Sequence, residues 1–160
     1  MHAKLKIATN LWFDSNAEAA VEFYVSLFED AIITSLLRAG NTGSGQEGSV
    51  AAMSFELEGQ NFVAMNGGPQ FKFNEAISIA VLCDSQDRID ALWEKLPADG
   101  GSHGRCGWLK DRFGLSWQIV PTVLSTLLAD TDPARAARVM KAMTAMGKLD
   151  IEALELAYDG

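Results

Sequence analysis

A chain of 160 residues, 48% of them apolar, is long enough for one domain with a proper hydrophobic core. Its formal net charge of −8 repels phosphate backbones and excludes nucleic acid as a partner. No stretch approaches the ~20 apolar residues of a membrane span. The start, Met-His-Ala-Lys-Leu-Lys-Ile, has no apolar run of signal-peptide length, so a cytoplasmic protein without a membrane partner is expected.

Residues 5–13 read as a strand. Asp14-Ser15-Asn16 then opens a helix, with Ser15 and Glu18 at capping-box spacing. Ala19, Ala20, Phe23, Tyr24 and Leu27 follow at helical spacing, and the helix ends near Phe28. Residues 31–38 suit a strand. The stretch from Gly40 to Gly48 holds four glycines, but no Lys-Ser/Thr and no helix follow it. It reads as a mobile loop between strands, not a phosphate loop. Residues 49–58 and 62–66 form a hairpin, ended by Gly67-Gly68-Pro69. Residues 70–75 are an aromatic and charged connector.

At residue 76 the pattern restarts. Ile77 to Cys83 reads as a strand, and Asp84-Ser85-Gln86 starts a helix carrying Ile89, Leu92, Trp93 and Leu96. Pro97 and Gly100-Gly101 stop it. Residues 105–110 and 115–120 form a hairpin turned by Asp111-Arg112-Phe113-Gly114. Phe13-Asp14-Ser15 matches Cys83-Asp84-Ser85, and at the same shift Ala19 meets Ile89 and Phe23 meets Trp93. The chain is therefore an internal repeat of one strand–helix–strands unit. A helical tail follows: a short helix over 121–128, one capped by Asp132-Pro133, and one capped by Asp150. Val139, Met140, Met143 and Met146 give the middle helix an apolar side suited to core or to a subunit contact.

"Leu-Trp-Phe-Asp", "Ala-Glu-Ala-Ala-Val-Glu-Phe-Tyr", "Asn-Gly-Gly-Pro-Gln-Phe-Lys-Phe-Asn-Glu-Ala" and the long run from Gly104 to Pro121 resemble the PhnB-like branch of the vicinal-oxygen-chelate superfamily. That branch also carries the name 3-demethylubiquinone-9 3-methyltransferase domain, and the superfamily includes glyoxalase I, bleomycin-resistance proteins and extradiol dioxygenases. The resemblance spans about residues 5–158. It implies an α+β fold of paired βαβββ modules, an eight-stranded curved mixed sheet around a cavity, C-terminal helices, and a homodimer. The modules would run over about 4–68 and 76–120 of a single domain, with the tail over 121–158. One fold hosts many functions, so an activity does not follow. A nucleotide-cofactor methyltransferase would want a parallel sheet and a glycine-rich strand–helix turn, and the sequence shows neither.

Enzymes of the superfamily hold a divalent metal with His and Glu on cavity-facing strands. Counting from Phe23-Tyr24, Asp84 and Gly114 puts Thr9, Ser78 and Gln118 at those positions, with Val63 or Ala64 on the fourth strand. Hydroxyls and an amide are poor ligands for a divalent ion. His2 lies at the terminus and His103 in a glycine-rich loop. No metal and no cofactor are predicted, and no catalytic residue is assigned. The three polar residues either orient a small molecule or satisfy one another and buried water.

Cys106, between Arg105 and Gly107, is either a reactive thiol or a packed one. Lys72, flanked by Phe71 and Phe73, is either a solvated connector residue or an anion-capturing rim. Trp108 and Trp117 line a pocket or fill a core. Asn66 and Phe73 complete the ligand-binding candidates. The expected function is small-molecule binding without a conventional metal site. The alternatives are a superfamily enzyme of lyase, dioxygenase or transferase type, working through Cys106 or a recruited metal, and an interaction role for the tail.

Overall fold

The computed structural model describes residues 7–40 and 46–160, so the expectations for His2 and for most of the Gly40–Gly48 loop lie outside the described residues. The chain divides into two compact units, Met1–Lys72 and Phe73–Gly160. The boundary falls within the aromatic connector.

The first unit contains β1 (Thr9–Phe13), α1 (Ala17–Leu27), β2 (Ala31–Arg38), β3 (Val50–Leu57) and β4 (Gln60–Asn66). Its strands order as β1-β4-β3-β2, with β1 parallel to β4 and the other pairs antiparallel. Side chains alternate across a strand. Leu11 and Phe13 on β1, Phe55 on β3 and Phe62 on β4 are buried on the face that α1 covers with Ala17, Ala20, Val21 and Tyr24. Phe55 and Phe62 stack with ring centroids 5.1 Å apart. Each such side chain contributes about 1.5–3 kcal/mol on leaving water.

The second unit repeats the plan with β5 (Ile79–Cys83), α2 (Gln86–Lys95), β6 (Ser102–His103), β7 (Trp108–Lys110) and β8 (Ser116–Pro121). The order β5-β8-β7-β6 copies the first sheet, including the parallel pairing of its first and last strands. The eight strands thus hydrogen-bond as two four-stranded mixed sheets, an α+β architecture. The helices α3 (Val123–Leu128), α4 (Pro133–Ala145) and α5 (Ile151–Asp159) follow.

Three local details differ from the sequence-based expectation. The Ser15–Glu18 capping box does not form. Asn16 is the N-cap of α1 without a side-chain bond, and the Ala17 amide donates instead to Asn66 Oδ1 at 2.9 Å. Next, part of the glycine-rich loop is the strand β6, where His103 pairs with Leu109, stacks on Trp93 and places Nε2 2.8 Å from the Trp93 carbonyl oxygen. Finally, the methionines of α4 divide. Met143 and Met146 pack with Val139 and Leu149 in the tail's own core, whereas Met140 is exposed. Asp132 and Asp150 do cap their helices, accepting from Ala134 N and Ala153 N.

The tail is sewn to the second module by its backbone. Gln86 on α2 donates to the Leu149 carbonyl and accepts from Ile151 N, using both ends of one amide. Lys148 pairs with Asp90 at 2.7 Å. Cys106 N donates to Met146 O and Gly107 N to Gly147 O, at 2.9 and 2.8 Å.

Candidate functional site

The first-module candidates are occupied by the fold. Asn66 uses Oδ1 on the start of α1 and Nδ2 on the Val50 carbonyl. Thr9 pairs with Phe62, so it shares the α1 face with Leu11 and Phe13. A residue pointing away from that face must differ by one position. The repeat shift gives the reason for the displacement: Thr9 matches Ile79, and the counterpart of Ser78 is Ala8. The count to Thr9 starts from Phe23-Tyr24 and the count to Ser78 from Asp84; the same count from Asp14 ends on Ala8. Lys72 is exposed, and Phe73 is half-buried at the start of the second unit.

Three candidates do converge, all in the second unit. In β8, Trp117 and Ile119 are buried towards α2 together with Leu109, so Ser116, Gln118 and Val120 face the other way. Register places Ala80, Gln118 and Trp108 side by side in one row across β5, β8 and β7. The next row holds Ser116 and Lys110, and the Gln118 Nε2 donates 2.9 Å to Ser78 Oγ. This face, open in that α2 does not cover it though Val120 packs against the tail's core, therefore carries an aromatic surface, an amide–hydroxyl pair, a second, buried hydroxyl and an ammonium. Lys110 is held by an ion pair with Glu75, whose exposed carboxyl lies below its usual range mainly because it accepts from that ammonium.

Ser116 was not singled out from the sequence. It is 1% exposed, and its Oγ has no hydrogen-bond partner among the described residues. A buried hydroxyl left unpaired costs about 1–3 kcal/mol, and such groups ordinarily find partners. The only sequence signal was its parity with Gln118.

The hairpin turn that aims this face is built by Asp111. This carboxylate, 2% exposed, accepts from Phe113 N and Leu115 N through Oδ1 and from Trp117 Nε1 through Oδ2. Trp117 is thus core, and Trp108 is the half-buried surface tryptophan. Cys106 precedes β7 in a left-handed conformation, φ 55°, with its basic neighbour Arg105 turned onto the Thr144 carbonyl. His103 lies on the α2 side, away from the open face. Cys83 is buried on that side too, and burial pushes its thiol pKa up. Both thiols are free.

Comparison with known proteins places this geometry. The sequence profile of the 3-demethylubiquinone-9 3-methyltransferase family matches residues 5–120. The chain belongs to that family. The PhnB protein from Bacillus cereus is 35% identical, with a TM-score of 0.67, over 74% of this chain and 100% of that one. Protein PA1353 from Pseudomonas aeruginosa, 20% identical with a TM-score of 0.63, covers 74% of this chain and is itself covered to 98%. The genomically encoded fosfomycin resistance protein of Listeria monocytogenes is 16% identical, with a TM-score of 0.50, over 78% of this chain and 98% of its own. None of the curated proteins matches the chain in sequence. The fold is that of the glyoxalase/bleomycin-resistance proteins. The family match stops at residue 120, so it covers the two modules and not the helical tail that the resemblance was expected to include.

The metal of that superfamily does not fit the residues present. Ser78 and Gln118 are neutral and bonded to each other, and the first-module counterpart of Ser78 is an alanine. Divalent ions want several carboxylate, imidazole or thiolate donors at once. Among the described residues no three His, Cys, Asp or Glu side chains come together to share one.

Proposed function

We propose that this protein binds a small organic molecule on the open face of its second sheet, without a divalent metal. Trp108 supplies the apolar platform. Gln118 and Ser78 form a neutral polar pair able to exchange their mutual bond for one to a ligand. The observation that carries the reading is Ser116: a buried hydroxyl with no partner, in the row beside Lys110 and next to Gln118. The ligand class that fits is a planar, neutral or weakly charged molecule with a hydrogen-bonding edge. The protein acts as a homodimer in the cytoplasm, where both thiols stay reduced. Among the described residues no helix is long and apolar enough to cross a membrane.

Methyl transfer finds no support in the chain's own residues. Each sheet has a single parallel pair, and the strand–helix connections Asp14-Ser15-Asn16 and Asp84-Ser85 contain no glycine to admit a nucleotide cofactor. A second reading rests on the left-handed backbone of Cys106, which presents a half-buried thiol next to β7 as a nucleophile.

The test is saturation-transfer NMR with a panel of aromatic amides and aromatic acids. Binding should be lost in Trp108→Ala and weakened about tenfold in Gln118→Leu, and should persist in Lys72→Ala and Cys106→Ala. A panel without hits, or hits indifferent to Trp108→Ala, would sink the open-face reading. Dependence on Cys106 alone would favour the thiol.

A further inference from the structure

Strand β2 is the outer strand of the first sheet. One side bonds to β3, and among the described residues no strand pairs with the other. Such an edge offers a row of unpaired amides and carbonyls, which proteins usually blunt with short length, proline or lysine. The corresponding edge strand of the second module, β6, is two residues long. By contrast, β2 runs for eight residues, has neither proline nor lysine, and shows apolar side chains on both faces. Ile32 and Leu37 are 57% and 63% exposed opposite Glu56 and Ala52, away from α1. Ile33 and Leu36 are 38% and 45% exposed opposite Phe55 and Met53, on the α1 side.

The strand is complementary to itself. Acidic residues, Glu29 and Asp30, stand immediately before it, and its only charge, Arg38, is its last residue. Set two copies antiparallel about a two-fold axis between Thr34 and Ser35. Ile32 then lies opposite the partner's Leu37 and Ile33 opposite the partner's Leu36, each pair on a common face. The acidic start of each copy lies beside the partner's Arg38, at both ends of the pairing. A parallel arrangement would set like charge beside like. The register shift between Ile33 and Ser35 falls at the axis, which leaves ladder hydrogen bonds to form on either side of it.

We propose that β2 is the homodimer surface, pairing antiparallel with β2 of a second copy so that the two first-unit sheets continue into one another. This deepens the homodimer reading by naming the surface, and ligand binding by the second unit does not depend on it. Main-chain bonds supply the attraction and the apolar rows the selectivity, as in other strand-addition complexes.

Sedimentation velocity of the full chain tests it. The protein should sediment as a dimer. Leu37→Asp should convert it to monomer with an unchanged circular-dichroism spectrum, because the residue is exposed. Arg38→Glu should weaken the dimer about tenfold or more, and adding Glu29→Arg and Asp30→Arg should restore it. A monomeric wild type would overturn both the homodimer and this surface. A dimer indifferent to Leu37→Asp and Arg38→Glu would overturn the surface alone.

Discussion

In the first module the helix behind the sheet is capped from a distant strand, by Asn66 at the end of β4. In the second, Ser85 caps α2 itself, accepting from Arg88 N at 3.2 Å. The turns differ in the same way. The end of β4 is locked by packing: Gly67 lies under the Trp12 ring, whose indole N–H donates to Gly68 O, and Phe71 stands edge-on at 5.0 Å. The β7–β8 turn is locked by a buried carboxylate. Strand order and pairing are nonetheless identical. What the repeat preserves is the backbone plan and the face that each helix covers; how a turn or cap is satisfied is interchangeable. Two of the family-like motifs supply these locks, so they mark the fold more than a chemistry.

Substitutions at the locks give the largest effects. Asp111→Ala removes the acceptor of three donors, two of them backbone, and should cost about 3 kcal/mol or more in urea unfolding. Gly67→Ala should cost about 1–3 kcal/mol, since its new methyl would overlap an indole that is pinned by both Gly68 and Phe71. If Gly67→Ala proves the worse of the two, packing outweighs the buried carboxylate and the contrast between the modules inverts.

The caps come next. Asn66→Ala should lose about 1–2 kcal/mol and Ser85→Ala about 1 kcal/mol, while Ser15→Ala should stay within about 0.5 kcal/mol. Equal losses at Ser15 and Ser85 would mean that the first module caps its helix locally after all.

The smallest effect concerns the thiols. Cys83 is 1% exposed and Cys106 half-buried, so a disulfide reagent should label Cys106 in the folded protein and Cys83 only on unfolding. The folded pKa of Cys83 is raised above its unfolded value. Its contribution is therefore complete below the unfolded pKa and is lost as pH rises beyond about 8.5 towards the folded one. Cys83→Ala should flatten that alkaline decline, read from urea midpoints across the range.

Much of the architecture was legible because it rests on local signals. Strand β2 has the expected bounds, the Asp132 and Asp150 caps form, and the repeat follows alternation and the Asp-Ser pairs at 14–15 and 84–85. What was hidden depends on distant partners. Asn66 as a cap needs β4 to end beside α1, and β6 is too short to show a period. The face of Thr9 turns on a one-residue difference in the count, to which a period of two is unforgiving. In the site, Ser78 and Gln118 were legible as polar residues in one group with Thr9, and only these two prove to be bonded to one another. Ser116 was not, because an unmet hydroxyl is a property of surroundings and not of spacing.

Gly107 carries a final consequence. Its N–H donates to Gly147 in the tail and its carbonyl accepts from Ile119 in β8, one residue from Gln118. Those two groups belong to different peptide units, so Gly107 is pinned on both sides, its N–H to the tail and its carbonyl to β8. The tail and β8 are thus both anchored on one glycine, and the amide protons of Gly107 and Ile119 should exchange slowly with solvent. Loosening α5 would then register at Ile119 as a loss of protection, without any residue of the open face being altered.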